Sequence, residues 1–200
     1  MTTPANPTPP KQLQMLWPKH LQNVPPESLA PDRILPVGYR LRTYRAEDEQ
    51  GYLAVMHAAG FTSFDHEAVQ RWLQKVLPDG FFLVEHESTR RIVATAMATH
   101  NPTPLHPFGG ELGWVAGSPE HAGKHLGRVV CAAVTARFLR AGYRRIYLQT
   151  DDWRLPAIVT YLRLGYVPLL HAADMADRWQ AVCAKLDWPY TPARWIVSTK

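Results

Sequence analysis

The stretch that decides the fold runs from Glu111 to Leu170 and reads ELGWVAGSPEHAGKHLGRVVCAAVTARFLRAGYRRIYLQTDDWRLPAIVTYLRLGYVPLL. Its first part, Leu112 to Ala116, is short, apolar and bounded by glycines, which predicts a buried strand. From Leu126 the apolar residues recur at helical spacing until Gly142, which predicts a helix that ends at this glycine. The stretch therefore begins as a strand, a glycine-containing loop and a helix.

The second part of the stretch repeats this alternation. Ile146 to Thr150 predicts another strand, and residues 154–164 predict another helix. Pro156 suits the first turn of that helix, and Gly165 suits the position just after its last turn. Strands that alternate with helices in this way indicate an α/β protein.

The loop between the first strand and the first helix contains Gly117, Gly123 and Gly127. A helix start has free backbone N–H groups and a positive dipole end, and glycines let an anion approach that backbone closely. The loop is therefore a candidate cradle for a pyrophosphate. A tight strand-to-helix turn without any ligand has the same composition, so the loop alone leaves both interpretations open.

Two well-known phosphate loops do not match. A Walker A loop has four residues between its glycines and then Lys-Ser/Thr, whereas five residues separate Gly117 from Gly123 here and His125 follows Lys124. The dinucleotide fingerprint G-x-G-x-x-G does not occur in this loop.

The loop and the second helix together resemble the coenzyme A-binding core of the GNAT superfamily of N-acetyltransferases. The family's loop pattern is Arg/Gln-x-x-Gly-x-Gly/Ala, and the aligned run here is residues 122–127, in which Gly123 and Gly127 match. Ala122 replaces the usual Arg or Gln, which removes a phosphate contact, and His125 replaces a glycine. The backbone donors of the loop are unaffected by either change.

The second half of the resemblance is the family pattern A-x-x-x-Y-x-x-x-G-F/Y. Ala157, Tyr161, Gly165 and Tyr166 stand at this spacing. Arg154 stands where the family often has an Asn that contacts the pantetheine arm, so this contact is in doubt here, although an arginine could reach a phosphate instead.

The resemblance implies an α/β protein of the α+β type with the GNAT fold: a mixed, largely antiparallel twisted sheet with helices on both faces. Upstream of the core, the patterns predict elements in the order that the GNAT fold requires. A strand from Tyr39 is followed by helices over Glu47–Ala59 and from Asp65 to about Leu77. A turn at 78–80, strands over Phe81–Glu85 and Ile92–Thr99 and a Pro-rich loop over His100–Gly110 come next. Downstream, a helix over Asp174–Leu186 departs from the family, which usually follows its last motif with a hairpin strand. Trp195–Val197 is the one later candidate strand.

These patterns divide the chain into a Pro-rich N-terminal arm (1–36), the acetyltransferase domain (37–186) and a C-terminal tail (187–200). The prolines of the arm exclude long helices, and only Lys11–Trp17 could form a short one. We expect Leu16 and Trp17 to dock on the domain and the first ten residues to be disordered.

Composition narrows the function class. The chain is 46% hydrophobic and 20% charged, as in soluble globular proteins, and has no apolar run near 18 residues and no secretory signal pattern, so a cytoplasmic location is expected. Cys131 and Cys183 are expected to be buried free thiols. The net charge is +5, but the basic residues are scattered and not interleaved with aromatic residues. We therefore expect no nucleic acid or membrane partner, whereas a modest positive field suits polyanionic coenzyme A.

The resemblance also implies the chemistry. Tyr161 stands where the family places the tyrosine acid that protonates the leaving thiolate, although it could simply be a packing residue. Glu111 stands where some members place a catalytic base acting through water, although a solvated charge at a strand start would look the same. His100 and His106 are weaker candidates for the base, and Asp151 and Asp152 are expected to cap the next helix. The implied acetyl-CoA-binding residues are Val115, Ala116, Gly117, Ala122, Gly123, Lys124, His125, Leu126, Gly127, Arg128 and Arg154, with the backbone near Val115 and Ala116 meeting the oxyanion.

Other chemistries find little support. His121 and His125 have the spacing of a zinc helix but lack a following Glu and a third ligand, so no metal is expected, and Ser118 lacks the nucleophile elbow of a hydrolase. The sequence thus predicts an N-acyltransferase that moves an acetyl group from acetyl-CoA to a small-molecule or peptide amine by direct transfer in a ternary complex. There are two alternatives: a catalytically degenerate domain that binds acyl-CoA or a protein partner, and a basic nucleic-acid-binding module. A homodimer is also possible.

Overall fold

The computed structural model describes residues 11–197. In chain order its strands and helices are β1 (Leu13–Leu16), β2 (Tyr39–Thr43), α1 (Glu49–Ala58), α2 (His66–Leu73), β3 (Val76–His86), β4 (Ile92–His100), β5 (Gly110–Gly117), α3 (Leu126–Arg140), β6 (Ile146–Thr150), α4 (Leu155–Leu164), β7 (Val167–Leu170), α5 (Met175–Leu186) and β8 (Ile196–Val197).

The strands of the described residues form one sheet in the order β2-β3-β4-β5-β6-β1-β7-β8. Neighbouring strands are antiparallel except for two parallel pairs, β5 with β6 and β7 with β8. The expected mixed, largely antiparallel sheet is therefore confirmed.

Helices cover both faces of this sheet, because alternate residues of the strands belong to two separate cores. Ala96 of β4 packs in the core that contains Val130 and Val134 of α3. The next residue, Met97, packs in the core that contains Tyr52 of α1 and Val69 of α2. This period of two is what a strand buried on both faces requires.

The boundaries of α2 and β3 differ most from the sequence prediction. α2, whose start is capped by the Asp65 carboxylate accepting from Ala68 N at 2.9 Å, ends at Leu73 rather than near Leu77. The expected turn at 78–80 lies inside β3, where the pairing with β4 shifts between Val76 and Phe81 and Asp79 has a φ of 54°. A left-handed residue beside a proline here makes an irregularity in a continuing strand instead of reversing the chain.

The N-terminal arm contributes a strand, whereas its sequence pattern allowed at most a short helix over Lys11–Trp17. β1 pairs antiparallel with β6 on one side and with β7 on the other. Hydrogen bonding from both neighbours outweighs the local preference of so short a segment for a helical turn. The expected docking of Leu16 and Trp17 is confirmed, since they are 2% and 4% exposed. The expected disorder of residues 1–10 concerns residues outside the described range.

The end of the chain departs from the family pattern as expected. β7 is followed by the helix α5, and the strand antiparallel to β7 comes from the N-terminal side of the chain. Ile196–Val197 forms the short strand β8 parallel to β7. Cys131 and Cys183 are free and buried, as predicted, and burial raises the pKa of both thiols. No helix within residues 11–197 is long and apolar enough to cross a membrane.

Because β1 lies inside the sheet, truncating a core side chain on it is expected to destabilise the whole domain. Met15 is fully buried, and Met15→Ala should lower the free energy of unfolding by about 2–5 kcal/mol. Lys19→Ala, a few residues further on at an exposed position, is the control and should change it by no more than about 0.5 kcal/mol. Urea denaturation of both variants measures this, and an unchanged midpoint for Met15→Ala would show that β1 is a dispensable tail.

Candidate active site

The site begins where two parallel strands separate. β5 and β6 pair only at Gly110 with Ile146 and at Glu111 with Tyr147. Beyond Glu111 the two strands diverge, so the backbone of β5 on that side has no strand partner among residues 11–197. Unpaired backbone groups inside a protein need another partner, and a ligand can supply it.

A β-bulge lies directly beside this gap. Thr95 of β4 pairs with Ala116 of β5, and Met97 pairs with Gly113, so that two residues, Trp114 and Val115, stand opposite Ala96 alone. Trp114 has a φ of 53°, a left-handed conformation that is costly for a bulky side chain.

The side chain of Trp114 holds this strained backbone in place. Its ring makes edge contacts with the rings of Phe64, Trp72 and Phe61 at centroid distances of 4.5, 5.2 and 5.7 Å. These aromatic residues belong to the α1–α2 region, so the packing of that region fixes the bulge. Nothing in the sequence indicates a left-handed residue at this position.

On one side of the gap lies a cleft of about 750 Å³ formed by the end of β5, the glycine loop and α4. We call it the loop-side cleft. Of the predicted acetyl-CoA-binding residues, those that line it are Val115, Ala116, Gly117, Ala122, Gly123, His125, Leu126, Gly127 and Arg154. Lys124 and Arg128 do not line it. Trp153, which precedes α4, and the α4 residues Thr160 and Arg163 line it as well, and sequence reasoning missed them.

The loop offers an array of backbone donors to this cleft. Within the described part of the chain, the N–H groups of the five residues from Gly123 to Gly127 have no backbone acceptor. His125, the residue before α3, adopts a φ of 58°, so it takes the left-handed conformation that suits glycine at a cost of about 1–2 kcal/mol. The replacement of a family glycine by His125 therefore leaves the loop able to present its backbone.

On the other side of the gap lies a second cleft, of about 290 Å³, which we call the strand-side cleft. Its apolar wall consists of the rings of Phe61, Trp72 and Trp114. Its polar wall consists of Gln12, Asn101, Glu111, Gln149, Thr150, Asp151 and Arg154. Sequence reasoning missed most of these residues, because Gln12 and Gln149 reach the cleft only through the pairing of β1 with β6.

Glu111 lies in this strand-side cleft and is 8% exposed, so it is not a solvated charge at a strand start. Its Oε2 accepts from Asn101 Nδ2 at 2.6 Å, and its Oε1 accepts from Gln149 Nε2 at 3.1 Å. Both partners are neutral amides, which orient the carboxylate without neutralising its charge.

Tyr161 lies where the two clefts meet. It lines both of them, together with Val115, Arg154 and Ala157. The ring is 4% exposed, and its hydroxyl has no hydrogen-bond partner among the described residues although it is not sealed from the clefts. Burial raises the pKa of Tyr161 well above its ordinary value, so the hydroxyl keeps its proton.

Arg154 occupies the same junction in a fixed position. Its guanidinium lies over the ring of Phe61 at 4.4 Å and over the ring of Trp153 at 4.3 Å, and its Nε donates to Asp151 Oδ2 at 3.0 Å. Asp152 pairs with Arg178 instead. The expectation that Asp151 and Asp152 cap α4 is therefore wrong, since the residue at its N-cap is Arg154 and has no side-chain capping bond.

The two histidines considered as bases lie outside both clefts. His100 is exposed, with its Nδ1 at 2.8 Å from Tyr143 Oη. His106 is fully buried, stacked on Tyr147 at 3.9 Å, and its Nε2 contacts Gln14 Oε1 at 2.6 Å. Burial and the nearby Arg145 lower the pKa of His106 to about 4. It therefore holds β1 and the loop together as a neutral side chain. Among residues 11–197, no group of three or more His, Cys, Asp or Glu side chains is placed to hold a metal ion.

Comparison of this chain with known proteins identifies the family to which it belongs. The family model described as "Acetyltransferase (GNAT) family" matches residues 42–166. Mycothiol acetyltransferase from Saccharomonospora viridis is 30% identical over 152 residues, which is 68% of this chain and 48% of that protein. Mycothiol acetyltransferase from Thermobispora bispora is 30% identical over 149 residues, 66% of this chain and 48% of that protein. The chain thus spans about half the length of these curated relatives.

The solved structures agree at the level of fold. A GCN5-related N-acetyltransferase from Sphaerobacter thermophilus has a TM-score of 0.54 and 18% identity, covering 80% of this chain and 49% of that one. At this identity the likeness concerns the fold alone, and it confirms the expected GNAT architecture.

The free N–H groups of the glycine loop predict binding of the coenzyme A pyrophosphate. Acetyl-CoA at 100 times its dissociation constant should stabilise the protein by ~2.7 kcal/mol, and Gly123→Glu should abolish this by placing a carboxylate against the phosphates. The matched control is Gly142→Glu. Gly142 also has a positive φ (78°, against 77° for Gly123), and a Cβ at either position would meet open space.

Thermal shift with and without acetyl-CoA measures both variants. Both substitutions should lower the melting temperature of the free protein by a similar amount, because both strain a left-handed position. Only Gly123→Glu should lose the ligand-induced shift. A full shift in this variant, or none in the wild type at millimolar acetyl-CoA, would contradict the role of the loop.

Proposed function

The chain belongs to the GNAT acetyltransferase family, and from this premise we propose that it transfers the acetyl group of acetyl-CoA to the amine of a small molecule. The observation that supports this most directly is the position of Tyr161. Its unbonded hydroxyl lies where the loop-side and strand-side clefts meet, which is where an acetyl donor and an amine in the two clefts would come together.

The loop-side cleft suits a polyanionic cofactor. Its lining contains Arg163, the two histidines His121 and His125, and Arg154, which is paired with Asp151 of the strand-side cleft, but no carboxylate. The five free N–H groups of the glycine loop and the dipole of the long helix α3 add further positive potential. When bound, acetyl-CoA supplies an activated acetyl thioester.

The proposed roles of the chain's own groups follow from their positions. Glu111 accepts the proton of the acceptor ammonium, directly or through a water, because it is an uncompensated carboxylate in the strand-side cleft. The backbone near Val115 in the unpaired bulge meets the developing oxyanion. As the new N–C bond forms and the C–S bond breaks, Tyr161 gives its proton to the leaving sulfur and is reprotonated by the second proton that the nitrogen loses on becoming an amide.

Direct transfer between the two substrates is the mechanism that the site favours. A covalent acyl-enzyme would need a nucleophilic thiol in reach, and neither Cys131 nor Cys183 is among the residues that line the two clefts. Burial also raises the pKa of both thiols, which disfavours the thiolate.

The catalytically degenerate alternative is not favoured. The features that would favour it are Ala122 and His125, the two departures from the family's loop pattern. His125 adopts the left-handed conformation suited to a glycine, and the loop keeps its free donors. The size of the strand-side cleft, about 290 Å³, favours a small-molecule acceptor over a peptide.

Tyr161→Phe tests the acid. The ring and its packing stay, so the KM for acetyl-CoA should change little, while kcat should fall by about 10²-fold or more because the proton donor is lost. Tyr166→Phe is the matched control: this buried tyrosine's hydroxyl bonds Thr135 Oγ1 at 2.8 Å and does not line either cleft, so its loss should reduce stability and leave kcat within about twofold. Steady-state kinetics, under conditions in which the chemical step limits the rate, measures kcat and KM of both variants. A wild-type kcat for Tyr161→Phe would show that Tyr161 is only a packing residue.

Glu111→Gln tests the base. The amide keeps the size of the side chain, but it cannot accept the ammonium proton, so kcat/KM near neutral pH should fall by about 10²-fold or more. The loss should shrink as the pH approaches the pKa of the acceptor amine, because the free amine in solution then needs no base. A pH profile of kcat/KM for the wild type and for Glu111→Gln measures this loss at each pH. A loss that is constant across pH would indicate that Glu111 only shapes the cleft.

A further inference from the structure

We infer that the acceptor is a cationic amine that has no anionic group of its own, so that α-amino acids and phosphorylated amines are poor acceptors. This inference rests on the proposed function, because it concerns the strand-side cleft in which the acceptor is proposed to bind. It is carried by the charges and the hydrogen-bonding groups that line this cleft.

The charge of the lining is negative. Three charged side chains line the strand-side cleft, namely Glu111, Asp151 and Arg154. Arg154 is paired with Asp151 at 3.0 Å, whereas Glu111 accepts from the amides of Asn101 and Gln149 and forms no ion pair with any described residue. One carboxylate is therefore left without a cation, and burial in a cleft strengthens its field.

The neutral polar side chains that line the cleft also favour a ligand without an anionic group. Asn101 and Gln149 direct their NH₂ groups at Glu111, and Gln12 directs its own at Asp151 Oδ1 at 2.9 Å. The amide oxygens of Gln12 and Gln149 have no partner among the described residues, so the amides offer acceptors. A ligand rich in N–H and O–H donors fits this wall.

The aromatic wall adds to the preference for a cation. Phe61, Trp72 and Trp114 line the cleft, and the negative faces of aromatic rings attract ammonium groups. Phe61 already has Arg154 over its ring, so this stacking occurs in the cleft itself.

Two cationic groups could oppose the inference, and neither is placed to hold a ligand anion strongly. The exposed Lys75 is not part of the lining; its Nζ lies over the Trp72 ring at 4.9 Å and donates to Asn101 Oδ1 at 3.0 Å. Water screens such an exposed charge. The guanidinium of Arg154 shares its charge with Asp151, so a ligand carboxylate would compete with that partner.

The test compares amines of one scaffold that differ in charge. Calorimetry on the full chain saturated with coenzyme A measures binding of 2-phenylethylamine, L-phenylalaninamide and L-phenylalanine. The amide should bind at least about tenfold more tightly than the acid of the same size, because two like charges a few ångströms apart near a protein surface repel by more than the free energy of a tenfold factor. Glucosamine and glucosamine 6-phosphate should show the same order on a second scaffold.

Asp151→Asn tests the charge balance without touching the proposed acid or base. With Asp151 neutral, Arg154 becomes available to a ligand carboxylate, so the amide-to-acid ratio of affinities should fall at least about threefold. Glu67→Gln is the matched control, since it removes the same charge from a side chain that is 83% exposed and outside the cleft, and it should leave the ratio unchanged.

Measuring both binding and acetyl transfer separates the charge preference from the proposed function. Acetyl transfer with equal or tighter binding of the acids and phosphates would overturn the charge preference and leave the proposed function intact. Selective binding of the amines that have no anionic group, without any acetyl transfer, would overturn the proposed function and support the charge preference. Absence of binding by every amine in both series would overturn the inference.

Discussion

The separation of β5 from β6 after two paired residues is the feature on which the rest of the site depends. Backbone groups in the interior of a protein need partners, and here part of one edge of β5 has none within the sheet. The bulge at Trp114 and Val115 lies on the other side of the same strand. The gap joins the loop-side cleft, proposed to bind acetyl-CoA, to the strand-side cleft, proposed to bind the amine, with Tyr161 at the junction.

The N-terminal strand keeps the gap open by holding β6 from its far side. β1 pairs with residues 147–150 of β6, and of these only Tyr147 also pairs with β5. Gln149 and Thr150 can therefore line the strand-side cleft while their backbone remains paired. The same segment places Gln12 beside Asp151 and Gln14 beside His106. A strand that might be taken for a tail is thus part of the wall of the site.

The two clefts differ in charge because of where a few side chains lie, although the chain as a whole is basic. The loop-side cleft has arginines, histidines and free N–H groups and no carboxylate. The strand-side cleft has an uncompensated Glu111, amide oxygens and aromatic faces. In the proposed function, such a division would place a polyanionic donor and a cationic acceptor on opposite sides of Tyr161. The division follows from local placement rather than from the net charge of +5.

The sequence by itself determined the helices and strands with strong periodicity, the glycine loop before α3, and the position of Tyr161 on α4, because these depend on spacing within short segments. It also marked Glu111, but not its burial. Only the tertiary structure decided that Leu13–Leu16 is a strand, since four residues have no fixed preference until β6 and β7 offer hydrogen bonds on both sides. The left-handed Trp114 and the meeting of Gln12, Asn101 and Gln149 around two carboxylates likewise arise from contacts between residues far apart in the chain, which no local pattern records.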